Sequence, residues 1–342
     1  MRSKVFIPQL IPEVALDRLK KVAEVEFFPS MDRVITPGEL LKAVKGKNYL
    51  YALAEIPFTA EVIDTALPDL KGIAAMYIFP KFVDIKTATQ RGIPVTGIPN
   101  MLVETTAEFT FALLIGTAWR LPEGDRLLRE KRWKQYQSMD FLTTRIFDKT
   151  LGIVGLGKIG KSLARRAQGC GMKVIYTKRT RLSADEESHL QVEWRELEDL
   201  FREADIVALT PTLTPGSKGL VGERLLSMMK QTAILINTSR GAVVDEKALA
   251  KALKEGRIRG AGLDVYEREF PNPDPGPFSG LLELPNVVVT PHIGSAARET
   301  REAMALRTVE NLEAMIQGRR PPDLLNPEVF GEPPRDTGDR IG

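Results

Sequence analysis

Two histidines bound the search for a proton-transfer group in this chain of 342 residues. His189 lies in the polar stretch Ala184–His189 and reads as solvated surface. His292 stands differently. It follows the apolar run Val287-Val288-Val289 within Thr290-Pro291-His292-Ile293-Gly294-Ser295, at the carboxyl end of an expected strand, where open α/β sheets bind ligands. An imidazole there is suited to proton exchange near neutral pH, although the same place would also suit a histidine that only satisfies a tight turn. Arg240 comes just after Ala233–Ser239, and Glu269 shortly after Gly260–Val265, so both charges also fall at strand ends. Each taken alone reads equally well as a surface charge. A cation, a carboxylate and an imidazole at one sheet edge are harder to explain as accidents. A carboxylate placed beside an imidazole raises its pKa and favours the protonated form. A guanidinium offers a planar fork of donors that suits an anionic partner.

Such a set needs a second reactant held nearby, and Leu151-Gly152-Ile153-Val154-Gly155-Leu156-Gly157-Lys158-Ile159-Gly160 supplies a place for one. A short apolar run leads into Gly155, Gly157 and Gly160 at G-x-G-x-x-G spacing, and a helical pattern carrying Leu163, Ala164 and Ala167 follows. Glycines at those positions let a pyrophosphate approach the backbone at the positive end of a helix. A second apolar run, Val174-Ile175-Tyr176, completes a strand, turn, helix and strand, so the motif reads as a dinucleotide site.

Composition excludes several other classes. The net charge is +3, with basic and acidic residues interspersed, which argues against nucleic acid as a partner. Hydrophobic content of 43% and charged content of 27% describe an ordinary globular chain, and its length favours two domains. No apolar run reaches the roughly eighteen residues of a spanning helix, so no membrane partner is expected. The single cysteine, Cys170, and a start without a long apolar stretch lead us to expect a reducing cytoplasm.

The elements that position these residues follow from periodicity. Val5–Ile7, Tyr49–Leu53, Gly72–Ile78 and Ile93–Val95 read as strands, with helices expected over Pro12–Leu19, from Thr36-Pro37-Gly38-Glu39 and over Ala60–Ala66. A long helix over Val103–Arg120 reads as a connection between domains, and Glu130–Phe147, rich in charge and aromatics, as an arm. Strands then recur at Val174–Thr177, Ile206–Leu209, Ala233–Ile236, Gly260–Val265 and Val287–Val289, giving an α/β chain with parallel sheets. A last helix, from about Ala296 to Gln317, is expected to cross back to the first domain. The Pro/Gly-rich polar stretch from Gly331 is expected to be a flexible tail.

Four segments together resemble the D-2-hydroxyacid dehydrogenases, particularly their glyoxylate/hydroxypyruvate reductase branch: Gly155–Gly160, Asn237-Thr238-Ser239-Arg240-Gly241, Gly260–Glu269, and Thr290–Ser295. The resemblance extends from about Lys4 to Asn326. It implies a flavodoxin-like substrate domain over 1–103 and 295–330, a Rossmann dinucleotide-binding domain over 104–294, a flexible tail over 331–342, and a dimerisation arm within the 130–147 stretch. It also implies that Arg240 binds the 2-oxo acid, that His292 is the acid/base and that Glu269 pairs with it. Cofactor contacts are implied at Gly155, Gly157, Lys158, Ile159, Gly160, Thr210, Pro211, Thr238, Ser239, Asp264 and Gly294, substrate contacts at Leu53, Tyr77 and Ile78 besides Arg240 and His292, and no metal. A nucleotide-sensing corepressor-like protein on the same fold is the alternative.

The chain departs from the family pattern twice. The loop after Ile73 is usually glycine-rich in this family, but here it runs Met76-Tyr77-Ile78-Phe79-Pro80-Lys81-Phe82, with Pro80 removing an N–H donor. That leaves two alternatives open, a repacked loop with usable amides at Tyr77 and Ile78, or a changed pocket and an atypical substrate. The second departure is at the end of the second dinucleotide strand, where an acid would hold the ribose of NAD. This chain has Lys178-Arg179-Thr180 there, two cations and a hydroxyl suited to a 2′-phosphate. NADP is therefore the expected cofactor, with NAD possible.

Overall fold

A computed structural model describes residues 2–53, 56–78, 82–99, 101–269 and 276–333. Twelve strands are described, and all the pairings between them are parallel: β1 Ser3–Ile7, β2 Ala23–Phe27, β3 Tyr49–Ala52, β4 Gly72–Ala75, β5 Val95–Thr96, β6 Thr150–Val154, β7 Lys173–Thr177, β8 Glu193–Trp194, β9 Ile206–Leu209, β10 Ile234–Asn237, β11 Gly260–Leu263 and β12 Val287–Val289. They form two sheets, of order β2-β1-β3-β4-β5 and β12-β11-β10-β9-β6-β7-β8. The first order is that of a flavodoxin-like sheet. The second reverses direction between β6 and β9, the switch point at which doubly wound sheets hold ligands.

The chain divides into two compact units, one of residues up to Met101 with those from Ala296 onward, the other of Leu102–Ser295. In the first unit β3 and β4 are buried along their length, as parallel strands covered on both faces must be. Thr36 and Glu39 make the capping box that the sequence signals before Pro37–Ala43. The helix Arg298–Ile316 packs on β4 and buries Met304, Ala305, Thr308, Val309, Leu312 and Met315. Asn311 donates to the Gly97 carbonyl at 3.2 Å, which fixes that helix to the strand-end loop after β5. In the second unit the helix Val103–Ala118 lies on the sheet, with Leu113 and Leu114 in a core shared with Leu151, Ile153, Tyr176 and Ile236. Gly262 permits this contact, because a Cβ there would stand 2.5 Å from the Thr117 hydroxyl.

The structure departs from the expected elements at several places; β5 is Val95–Thr96 instead of Ile93–Val95, and β11 ends at Leu263 instead of Val265. β4 ends at Ala75, and Met76–Ile78 bend away instead of extending the strand to Ile78, with Met76 buried and Tyr77 and Ile78 half-buried. β2 was not anticipated, because Ala23-Glu24-Val25-Glu26-Phe27 follows the helix Glu13–Val22 without a breaker. β8, only two residues long, carries no periodic signal. Within the 130–147 stretch no helix or strand forms after the helix Leu121–Arg129. Of the expected tail, residues 334–342 lie outside the described residues.

Candidate active site

The parallel strands of the larger sheet end at one edge, and each expected site residue of this unit follows one of six of them, β6, β7, β9, β10, β11 or β12. Gly155 follows β6 with φ +94°, a backbone that disfavours any L side chain, and a Cβ on it would stand 2.7 Å from Cα and N of Pro211. Gly160 is equally constrained by space, its Cβ position being 2.8 Å from the Gly155 carbonyl oxygen. Thr210, after β9, donates its hydroxyl to that same oxygen at 2.7 Å. The helix Lys158–Gly169 opens at Gly157 with no side-chain cap, so its first N–H groups stay available to an anion. This cradle fits a pyrophosphate: bare backbone, a helix start and no side chain in the way.

Arg240 is set by an Asx turn. Asn237, at the end of β10, accepts from Ser239 N–H at 3.0 Å and from its hydroxyl at 2.8 Å, and donates to the Arg240 carbonyl at 3.1 Å. The Arg240 guanidinium is exposed, with one nitrogen donating to the Ser239 carbonyl at 2.6 Å. Thr238 shares a hydrogen bond of 2.7 Å with Thr110. Gly241 is where two loops meet, because a Cβ would lie 1.8 Å from the Tyr266 carbonyl carbon. That contact brings the Glu269 loop against the Arg240 loop.

Glu269 accepts from Tyr266 N–H at 2.9 Å and pairs with His292 Nδ1 at 3.1 Å. His292 occupies the left-handed region at φ +53°, a strained place for a non-glycine residue. Asp264 over-determines it. One Asp264 oxygen accepts from the Thr290 hydroxyl at 2.7 Å and Ile293 N–H at 2.9 Å, and the other from Gly294 N–H at 2.8 Å. A Cβ on Gly294 would stand 3.1 Å from that second oxygen. Tyr266 adds a hydroxyl bond to the Thr290 carbonyl at 2.6 Å. Buried Glu246 accepts from the N–H groups of Glu267 and Phe278 at 2.7 and 2.6 Å, pinning both ends of the Glu269 loop.

The electrostatics follow from these contacts. The hydrogen bond that the ring donates to Glu269, and then the charge of Glu269, raise the pKa of His292 above the usual imidazole value, against burial and against Arg240. Burial alone would raise Glu269, but His292 brings it below the usual carboxylate range. Burial outweighs the three hydrogen bonds at Asp264 and raises its pKa. The arrangement is an imidazole whose protonated form is favoured by a carboxylate, in the field of an exposed guanidinium fork. It can give a proton to an oxygen of a bound anion.

Of the other expected residues, Lys178 follows β7 directly, with Arg179 and Thr180 exposed beside it. His189 is exposed. In the smaller unit Leu53 is buried after β3, and Tyr77 and Ile78 lie in the bend after β4. The Tyr77 carbonyl accepts from Ile98 N–H at 2.8 Å. Phe79, Pro80 and Lys81 lie outside the described residues. Four residues escaped the sequence reading: Asn237, Glu246, Tyr266 and Arg301. Asn237 carried a readable signal, an Asx-turn residue two before a serine. Arg301, in the first turn of Arg298–Ile316, makes no ion pair among the described residues, and burial holds its pKa below the usual guanidinium value, against the charge of Tyr77.

Comparison with known proteins places the chain in a family. Residues 111–294 match the family described as D-isomer specific 2-hydroxyacid dehydrogenase, NAD binding domain. The chain is 45% identical over 335 residues to the glyoxylate reductase of Korarchaeum cryptofilum, covering 96% of this chain and 97% of that one. Among solved structures, a Thermus thermophilus protein is similar with a TM-score of 0.84 and 42% identity, over 94% of this chain and 99% of its own. An NADPH-dependent glyoxylate/hydroxypyruvate reductase from Sinorhizobium meliloti, solved with NADP and malonate, is similar with a TM-score of 0.75 and 29% identity, over 95% and 97%. Among the described residues no helix is long and apolar enough to cross a membrane.

Proposed function

The chain belongs to the D-isomer specific 2-hydroxyacid dehydrogenases, nicotinamide-dependent oxidoreductases of 2-oxo and 2-hydroxy acids, and from that premise we propose that it reduces a small 2-oxo acid of the glyoxylate or hydroxypyruvate kind to the D-2-hydroxy acid, with NADPH preferred. The observation that carries the reading is the His292–Glu269 pair at 3.1 Å, in the field of Arg240 at the edge that also holds the glycine turn. Arg240 holds the substrate carboxylate with its fork and draws electron density from the carbonyl. His292 gives the carbonyl oxygen a proton, and Glu269 keeps the ring protonated and in one orientation. The nicotinamide, when bound, supplies the hydride.

Gly155, Gly157, Lys158, Ile159 and Gly160 hold the pyrophosphate, and Lys178, Arg179 and Thr180 the 2′-phosphate. Thr210, Pro211, Thr238, Ser239, Asp264 and Gly294 line the rest of the cofactor site. Leu53, Tyr77 and Ile78 are the smaller unit's substrate contacts, with the Ile78 amide usable as a donor. The active unit is a homodimer joined through the 130–147 stretch. The single exposed cysteine, Cys170, suits a reducing cytoplasm. The test is a panel of glyoxylate, hydroxypyruvate, pyruvate and larger 2-oxo acids, assayed with each reduced cofactor by the loss of nicotinamide absorbance. Turnover of the small acids, faster with NADPH, is expected. Turnover with none of them would sink the reading.

A further inference from the structure

The turn after β7 carries Lys178, Arg179, Thr180 and Arg181, and the fold treats these side chains unequally. Arg181 donates through Nε and Nη2 to the two oxygens of Glu187, each at 2.8 Å, and its guanidinium lies 5.3 Å from the centre of the Trp194 ring. The Tyr176 hydroxyl donates to Glu187 at 2.7 Å and accepts from Leu182 N–H at 2.9 Å. Tyr176 itself is fully buried in β7. One carboxylate and one phenol therefore close the turn back onto the strand from which it springs. Lys178, Arg179 and Thr180 form no hydrogen bond or ion pair among the described residues. Glu187 belongs to the helix Ala184–Leu190, whose Glu186 accepts from Lys161 at 3.3 Å. That ion pair joins the tie to the helix opening at the glycine turn.

We propose that Glu187 is a positioning residue for recognition of the cofactor's 2′-phosphate: it holds Arg181 and Tyr176 together, so that Lys178, Arg179 and Thr180 are the groups presented to the phosphate and Arg181 is withheld. The proposal rests on the reading of this chain as NADPH-preferring. A turn already closed needs less ordering when a phosphate arrives, and preorganisation of this kind favours binding without adding a contact. Arg181 and Tyr176 lower the Glu187 pKa to about 2, so the tie is present throughout the working pH range.

The test is Glu187→Gln, which keeps the size of the side chain and removes its charge. KM and Kd for NADPH should rise about tenfold, the scale of one lost charge-assisted contact. Turnover at saturating NADPH, both constants for NADH and the Tm should change little. Tyr176→Phe cuts the same tie from its buried end, at a side chain that a phosphate does not reach, and carries the same expectation for the two cofactors, so a poorly folding Glu187→Gln does not remove the test. Equal or tighter NADPH binding by Glu187→Gln would mean that the freed Arg181 is itself a phosphate ligand, and the inference fails. Equal weakening of both cofactors would mean that Glu187 serves only the fold, and it fails again. A wild type that prefers NADH overturns the cofactor reading and this inference together, whereas the other failures leave that reading standing.

Discussion

His292 and Glu269 shift each other in opposite directions, and the sign of each shift fixes a pH dependence. His292 is raised above its ordinary value of about 6.5, so its share of stability is full below the unfolded value and is lost as pH rises through the folded one. Glu269 is lowered, so its share is present above the unfolded carboxylate value and is lost as pH falls. In the proposed mechanism reduction needs the imidazolium. Its kcat/KM should fall as pH rises through the raised His292 pKa, while oxidation of the hydroxy acid should rise over the same range. Glu269→Gln removes the charge that raises His292, so the descending limb of reduction should move to lower pH; a limb that stays in place would remove Glu269 from this role. The cofactor side makes a second prediction for single residues. Lys178→Asp with Arg179→Ala should weaken NADPH binding by roughly 1.5–3 kcal/mol for each lost charge-assisted contact. NADH binding should be unchanged or improved. An unmoved NADPH Kd in calorimetry would exclude these two residues from the phosphate site.

Elements hold these side chains by close backbone approach, which is why glycine and a buried acid recur at the joints. Gly241→Ala would force the Tyr266 backbone away from a Cβ position 1.8 Å distant. Because backbone has to move, the cost should reach about 3 kcal/mol, the upper part of the overpacking range. Denaturant unfolding should show that loss, and kcat should drop because Arg240 and Glu269 lie on the two loops that separate. Asp264→Asn places an NH2 against N–H or O–H donors now bonded to a carboxylate oxygen. It should cost about 1–3 kcal/mol and lower kcat more than it raises KM, because the His292 turn loosens. Sequence reasoning located Asp264 but not this work, since an acid after a strand reads the same whether it meets a ligand or its own backbone. The placement of the glycine turn, Arg240, Glu269 and His292 at strand ends was legible because each follows an apolar run closely. Glu246 was not. A glutamate opening an ordinary amphipathic helix reads as solvent-facing, and only the fold shows it buried beneath the Glu269 loop.

At the scale of the whole molecule, alternating strands and helices made two parallel sheets legible, because a parallel connection requires a crossover. The order within each sheet was not legible from periodicity, since the same alternation suits several strand orders. Self-association is the remaining property to argue at this scale. Eight of the sixteen exposed large apolar side chains among the described residues lie between Trp119 and Phe147: Trp119, Leu121, Leu128, Trp133, Tyr136, Met139, Leu142 and Phe147. Scattered exposed apolar residues are ordinary, and the concentration in one segment of under thirty residues is the surface that the proposed dimer would cover. Arg120 and Arg259 both donate to the Leu142 carbonyl, at 3.2 and 2.9 Å, so the segment is anchored to its own unit at that point. Tyr136 and Met139, 83% and 74% exposed, project from the part without helix or strand. The wild type should therefore sediment at twice 38.0 kDa. Replacing Trp133, Tyr136 and Met139 with serine should weaken association by roughly 2 kcal/mol for each side chain at the centre of the interface, while the Tm of the separated chain stays close to that of its parent. Sedimentation velocity over a concentration series reads the association of both proteins, and a wild type found only at 38.0 kDa at micromolar concentration would leave the apolar segment without this role.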